Sequence, residues 1–115
     1  MDVPKQVQDK LAQFQTMQNQ VQMLSMQKQQ LMLQSTDLDN ARKELEAVTG
    51  GKVYRMVGPI LVETGKDAGM KYVADEHDMA DAKIKILEKQ EKKLVEKLNE
   101  MQAELRTMLS PPKSG

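Results

Sequence analysis

The sequence predicts a mainly α fold: a long antiparallel two-helix coiled coil with one β-hairpin between the helices. Three observations predict it. Apolar residues recur at alternating steps of four and three over most of the chain, the spacing of a coiled-coil seam. The period breaks once, at two short β-rich runs around Gly58-Pro59. The composition suits long helices better than an ordinary globule. Of 115 residues, 30% are charged, 17 basic against 17 acidic, and only 3% are aromatic, too few for a conventional core.

Helix 1 is expected over about 3–49. Asp2 can cap its first turn, and Pro4 is tolerated there because a missing N–H costs nothing at a helix start. One seam row reads Val7, Phe14, Val21, Lys28, Ser35, Arg42, and turns polar halfway. The other reads Lys10, Met17, Leu24, Leu31, Leu38, Leu45. Gly50-Gly51 is the expected stop, since glycine readily takes the left-handed conformation past a helix end. The hairpin follows over about 53–64, with Val53–Val57 and Ile60–Thr64 as its strands. Gly-Pro is not the favoured hairpin pair, which leaves the turn type open.

Helix 2 is expected over about 68–109, capped by Asp67 and stopped by Pro111-Pro112, with a short frayed tail over 110–115. Its seam reads Val73, His77, Ala80, Ile84, Leu87, Glu91, Leu94, Leu98, Met101, Leu105, Met108, and only His77 and Glu91 are not apolar. Each helix has roughly 40–45 residues and would run roughly 60–65 Å. A short middle segment reverses the chain, so the helices should pair antiparallel, with both termini at the tip opposite the hairpin.

Composition excludes several functions. Zero net charge argues against nucleic acid or an anionic membrane as the primary partner, since either needs a basic face. No stretch is long and apolar enough to span a bilayer, and the N-terminus lacks a signal-peptide pattern, so a soluble, cytoplasmic protein is expected. With no Cys and one His, a zinc site is excluded and no other metal or cofactor is implied. Gly51-Lys52 and Gly65-Lys66 lack the spaced glycine and the following Ser or Thr of a phosphate loop. No nucleophile–base pair appears, so the chain does not read as an enzyme.

Function should therefore lie in surfaces. A lone hairpin is marginal in water, and this one is apolar on both faces, through Val53, Tyr54, Met56, Val57, Ile60, Leu61 and Val62. It either folds back on its own helix ends or joins hairpins of other chains in a shared sheet or barrel; its open edges favour the second reading. At the tip, Val3, Val7, Leu11 and Phe14 meet Met101, Leu105, Met108 and Leu109. Two helices have no third layer to cover such a patch, and exposed apolar patches mark interaction sites. Methionine adapts its shape to varied partners. Eleven of the first 34 residues are Gln, which keeps helix 1 soluble without selecting a charge sign. Lys28 and Glu91 stand at seam positions, either as a register pin or with their ends snorkelling to water.

These residues resemble the β-class subunits of prefoldin, an ATP-independent chaperone of archaea and eukaryotes. The resemblance covers nearly the whole chain. It rests on the helix–hairpin–helix order, on Gln6-Val7-Gln8-Asp9-Lys10-Leu11, on Gln27-Lys28-Gln29-Gln30-Leu31 and on Leu87-Glu88-Lys89-Gln90-Glu91. Above all it rests on Val53-Tyr54-Arg55-Met56-Val57-Gly58-Pro59-Ile60-Leu61-Val62, which looks like the family's single hairpin. It implies a hexamer of two α-class and four β-class subunits, with the hairpins joined into an oligomeric β-barrel. It also implies arm tips that hold unfolded client proteins and hand them to a group II chaperonin. By position, the hairpin residues would be the assembly site, and Val7, Leu11, Phe14, Met101, Leu105 and Met108 the client contacts. A coiled-coil scaffold or tether with no client-holding role is the alternative.

Overall fold

The computed structural model describes residues 3–110. The Asp2 cap, the Pro111-Pro112 stop and all of the tail beyond Ser110 fall outside them. The element order is α1 (Lys5–Ala47), β1 (Val53–Val57), β2 (Ile60–Thr64) and α2 (Lys66–Leu109). The strands pair antiparallel in a two-stranded sheet, from Val53↔Thr64 to Val57↔Ile60. Gly58 has φ 57°, while proline holds Pro59 at negative φ. Positive φ at the first central position only is the sign pattern of a type II′ turn, whose twist suits a hairpin. Gly-Pro therefore serves here because glycine comes first.

The helix ends differ in detail from expectation. The carbonyl of Pro4 accepts from the amides of Val7 and Gln8, at 3.0 and 3.1 Å, so α1 starts just after the proline. It ends at Ala47, before the glycine pair. Its C-terminal end is held by a side chain from across the hairpin: Lys66 Nζ donates to Glu46 O (3.1 Å) and to Val48 O just past the helix (2.9 Å). A cation on the negative end of a helix also complements its dipole. α2 begins at Lys66, and the amide of Gly69 closes on the carbonyl of Gly65 at 2.9 Å. Asp67 thus lies inside the first turn, near the positive end of the dipole, rather than at the cap.

The chain contacts gather into two compact units. One holds the residues up to Gln27 and from Ile86 onward; the other is Lys28–Lys85. In the first unit Lys10 and Glu104 form an ion pair. Leu24 shares a groove with Leu94, and Met17 shares one with Met101. Partners descend on α2 as they ascend on α1, so the pairing is antiparallel. Val7 and Leu105 are buried, and Phe14, Val21, Leu24, Leu87, Leu94, Leu98 and Met101 are half-buried. A half-buried seam leucine contributes about 1 kcal/mol.

In the second unit the order is likewise antiparallel: Ser35 meets His77 and Asp81, while Leu45 lies near Gly69. Val73 and Ala80 are buried, and Leu31, Leu38, Leu45 and Ile84 half-buried. The seam carries a polar layer here. His77 Nε2 lies 3.1 Å from Ser35 Oγ and 3.2 Å from Asp39 Oδ1, and Nδ1 lies 3.4 Å from Asp81 Oδ2. Ser35 Oγ also donates to Asp81 Oδ1 at 3.3 Å. Polar partners at a seam fix register, because a slip would strand them against apolar layers. Lys28 and Glu91 are each half-buried at their seam positions.

Two measurements check this packing. A methyl group added at Gly69 would meet Val53 Cγ1 at 3.6 Å and Leu45 Cδ1 at 3.8 Å, ordinary contact distances, in a helical backbone. Gly69→Ala should raise stability by about 0.5–1 kcal/mol in a chemical melt followed by circular dichroism. A double-mutant cycle of His77→Ala with Asp81→Asn should give a coupling of about 0.5–1 kcal/mol. Additive effects would mean the layer contributes no register energy.

Candidate functional site

Each unit leaves apolar surface open where the sequence expected it. In the second unit it is the hairpin. Alternation along the strands puts Val53, Arg55, Val57, Ile60, Val62 and Thr64 on one face, and Tyr54, Met56, Leu61 and Glu63 on the other. The first face rests on α2 at its base. Val53 is half-buried near Gly69, and the Arg55 guanidinium lies 4.4 Å from the Tyr72 ring centroid, a cation–π contact. The second face touches water over most of its area: Tyr54 is 52% exposed, Leu61 64% and Met56 72%. Val57, Ile60 and Val62 are exposed as well. Each strand has one edge without a partner strand among the described residues. The hairpin is thus anchored at its root by Val53 and Arg55, and presents apolar side chains and open backbone groups beyond it.

In the first unit the open surface lies where both helices end. The six residues expected there by position divide. Leu11 is 37% and Met108 39% exposed, and Phe14 and Met101 are half-buried. Val7 and Leu105 are only 4% and 6% exposed, so in this structure they close the last layer of the seam rather than facing solvent. Their heptad positions carried that signal: both are seam residues, and a seam that extends to the last turn covers them. Val3 and Leu109 add exposed apolar area beside them. Met101 also lines a shallow groove with Ala12, Thr16 and Met17.

The chemistry available at these places is that of contact. The polar layer at His77 offers Asp39 and Asp81 to different ring nitrogens, not to one shared point. Among the described residues no group of three His, Cys, Asp or Glu could hold a metal ion. The crevice between helix ends and hairpin, about 540 Å³, is lined by Val48–Val53 and Glu63–Lys66, and its Lys66 is already committed to the α1 carbonyls. No described helix is long and apolar enough to cross a membrane.

Comparison with known proteins agrees with this geometry. The family described as "Prefoldin subunit" matches residues 8–111. The prefoldin subunit beta of Thermococcus kodakarensis is 36% identical, covering 99% of this chain and 98% of the relative. That of Archaeoglobus fulgidus is 36% identical, covering 96% of each. The crystal structure of the prefoldin beta subunit from Thermococcus strain KS-1 superposes with a TM-score of 0.85 at 36% identity, covering 96% of this chain and 98% of that one. The beta2 subunit of the same strain, 23% identical, shares the fold with a TM-score of 0.72 over 78% of this chain and 97% of its own.

Proposed function

This chain belongs to the prefoldin subunit family and is a chaperone subunit; from that premise we propose that it works as a β-class member of a prefoldin hexamer, holding unfolded proteins without ATP and delivering them to a group II chaperonin. In this reading the hairpin is the assembly site. It joins hairpins of α-class and further β-class subunits into one barrel, which closes the open edges and covers Tyr54, Met56 and Leu61. The cytoplasm is the proposed location. The family consists of chaperones rather than enzymes.

The observation that carries the reading is the hairpin: an anchored two-stranded sheet with apolar side chains on both faces and two open edges. Such an edge invites strand addition, and a stable soluble protein covers it. The substitutions Met56→Asp and Leu61→Asp together should reduce the assembled species to monomers in light scattering, because two carboxylates would be buried on the face that the barrel covers. An unchanged mass would remove the hairpin from assembly.

Client holding is assigned to the terminal ends of the helices. Leu11 and Met108 are the first contacts, with Phe14 and Met101 beside them, and Val7 and Leu105 become available when the last seam layer parts. Several weak tips acting on one client add by effective concentration, so no tip need bind tightly and release needs no nucleotide. The assembled hexamer should suppress aggregation of a chemically unfolded protein without ATP. Leu11→Ser with Met108→Ser should lower that suppression several-fold while leaving the assembly mass unchanged. Full suppression by this variant would favour a scaffold or tether.

A further inference from the structure

An open apolar groove of about 420 Å³ runs along the first unit, beside the seam layer of Leu24 and Leu94. Met23, Leu24 and Leu94 form its floor. From α1 the groove is bordered by Gln20 and Gln27, and from α2 by Gln90, Lys93 and Lys97. Met23 is 60% exposed, an unbranched side chain free to change its shape. The two lips differ in charge. On α2, Lys89, Lys93 and Lys97 follow at four-residue steps, a ridge of like charge that a helix carries at a cost. The facing stretch of α1 offers no relief, because residues 10–36 contain no carboxylate. Glu96 and Glu100 lie three residues beyond the two lysines, yet among the described residues neither lysine is in an ion pair. Gln20 borders both this groove and the one at Met101, so the two adjoin.

We propose that this groove binds acidic amphipathic segments of unfolded polypeptide. The floor takes apolar side chains, while carboxylates on the same segment meet Lys93 and Lys97. The glutamine lip supplies donors and acceptors of no fixed charge. A segment of the opposite sign loses the ion pairs and is repelled by the ridge. The inference rests on the client-holding reading and adds to it a preference of charge, which the neutral net composition of the chain does not suggest.

Fluorescence anisotropy on the full chain tests it, using a labelled amphipathic peptide of leucine and glutamate and its counterpart with lysine for glutamate. The wild type should prefer the acidic peptide, and the preference should shrink with added salt. Lys93→Glu with Lys97→Glu should weaken the acidic peptide about tenfold and strengthen the basic one. Lys93→Gln with Lys97→Gln should give an intermediate loss, and Met23→Ser should weaken both peptides alike. All of these are surface changes that leave the seam intact, which circular dichroism verifies. Equal binding of the two peptides by the wild type, or a preference that survives the charge reversal, overturns the proposal. So does a fall in mass on light scattering, which would make the groove a contact between copies. Absence of peptide preference beside intact, tip-dependent aggregation suppression sinks the groove alone. Peptide preference without aggregation suppression sinks client holding and leaves a peptide site.

Discussion

Two helices packed on each other can bury one stripe apiece, and everything else about the molecule answers to that limit. Among the described residues only four apolar side chains, Val7, Val73, Ala80 and Leu105, are buried, and no large side chain is completely enclosed. The apolar residues in excess of the seam have no second layer to enter. They are therefore displayed, on the hairpin, at the helix ends and along the flank at Met23. In a larger domain the same residues would form a core. Here they form surfaces, and surfaces of this kind are useful to a protein whose task is association.

The seams were legible because they obey a strict period. Every seam position expected on α2 is buried or half-buried except Met108, and every one expected on α1 except Arg42. The strands were legible for a similar reason: valine, isoleucine and tyrosine gather in two runs, and Gly58-Pro59 can sit only at their junction. What stayed hidden depends on contacts between residues distant in sequence. The Lys66 cap on α1 needs the hairpin to bring residue 66 back to residues 46 and 48. The polar layer was half visible, since Ser35 and His77 are the polar members of otherwise apolar rows, but Asp39 and Asp81 join it from flanking positions. Exposure at the helix ends was not legible from position alone, because proximity to a terminus does not distinguish a seam residue such as Val7 from its neighbour Leu11.

Charge follows a similar division of labour. The chain is neutral overall, yet α1 lacks carboxylates over its middle while α2 interleaves both signs. Neutral composition is thus the sum of unlike faces, and a partner approaching one flank meets a field that the total does not describe. The glutamines of α1 keep its face soluble without cancelling the lysines opposite.

The tight hairpin turn has a kinetic consequence. Val57 and Ile60 pair across two residues, whereas Lys10 and Glu104 meet across a separation of 94. Closing the distant pair directly would cost the entropy of a long loop, but each seam layer formed beside the turn shortens the loop for the next. Folding can then proceed as a zipper, each step local even though the final contacts are not, and a chain of this topology escapes the slowness usual for long-range pairing. A zipper reopens from its free end. The layer that closes last and parts first is that of Val7 and Leu105, so local unfolding there presents buried apolar area without disturbing the hairpin that nucleated the fold.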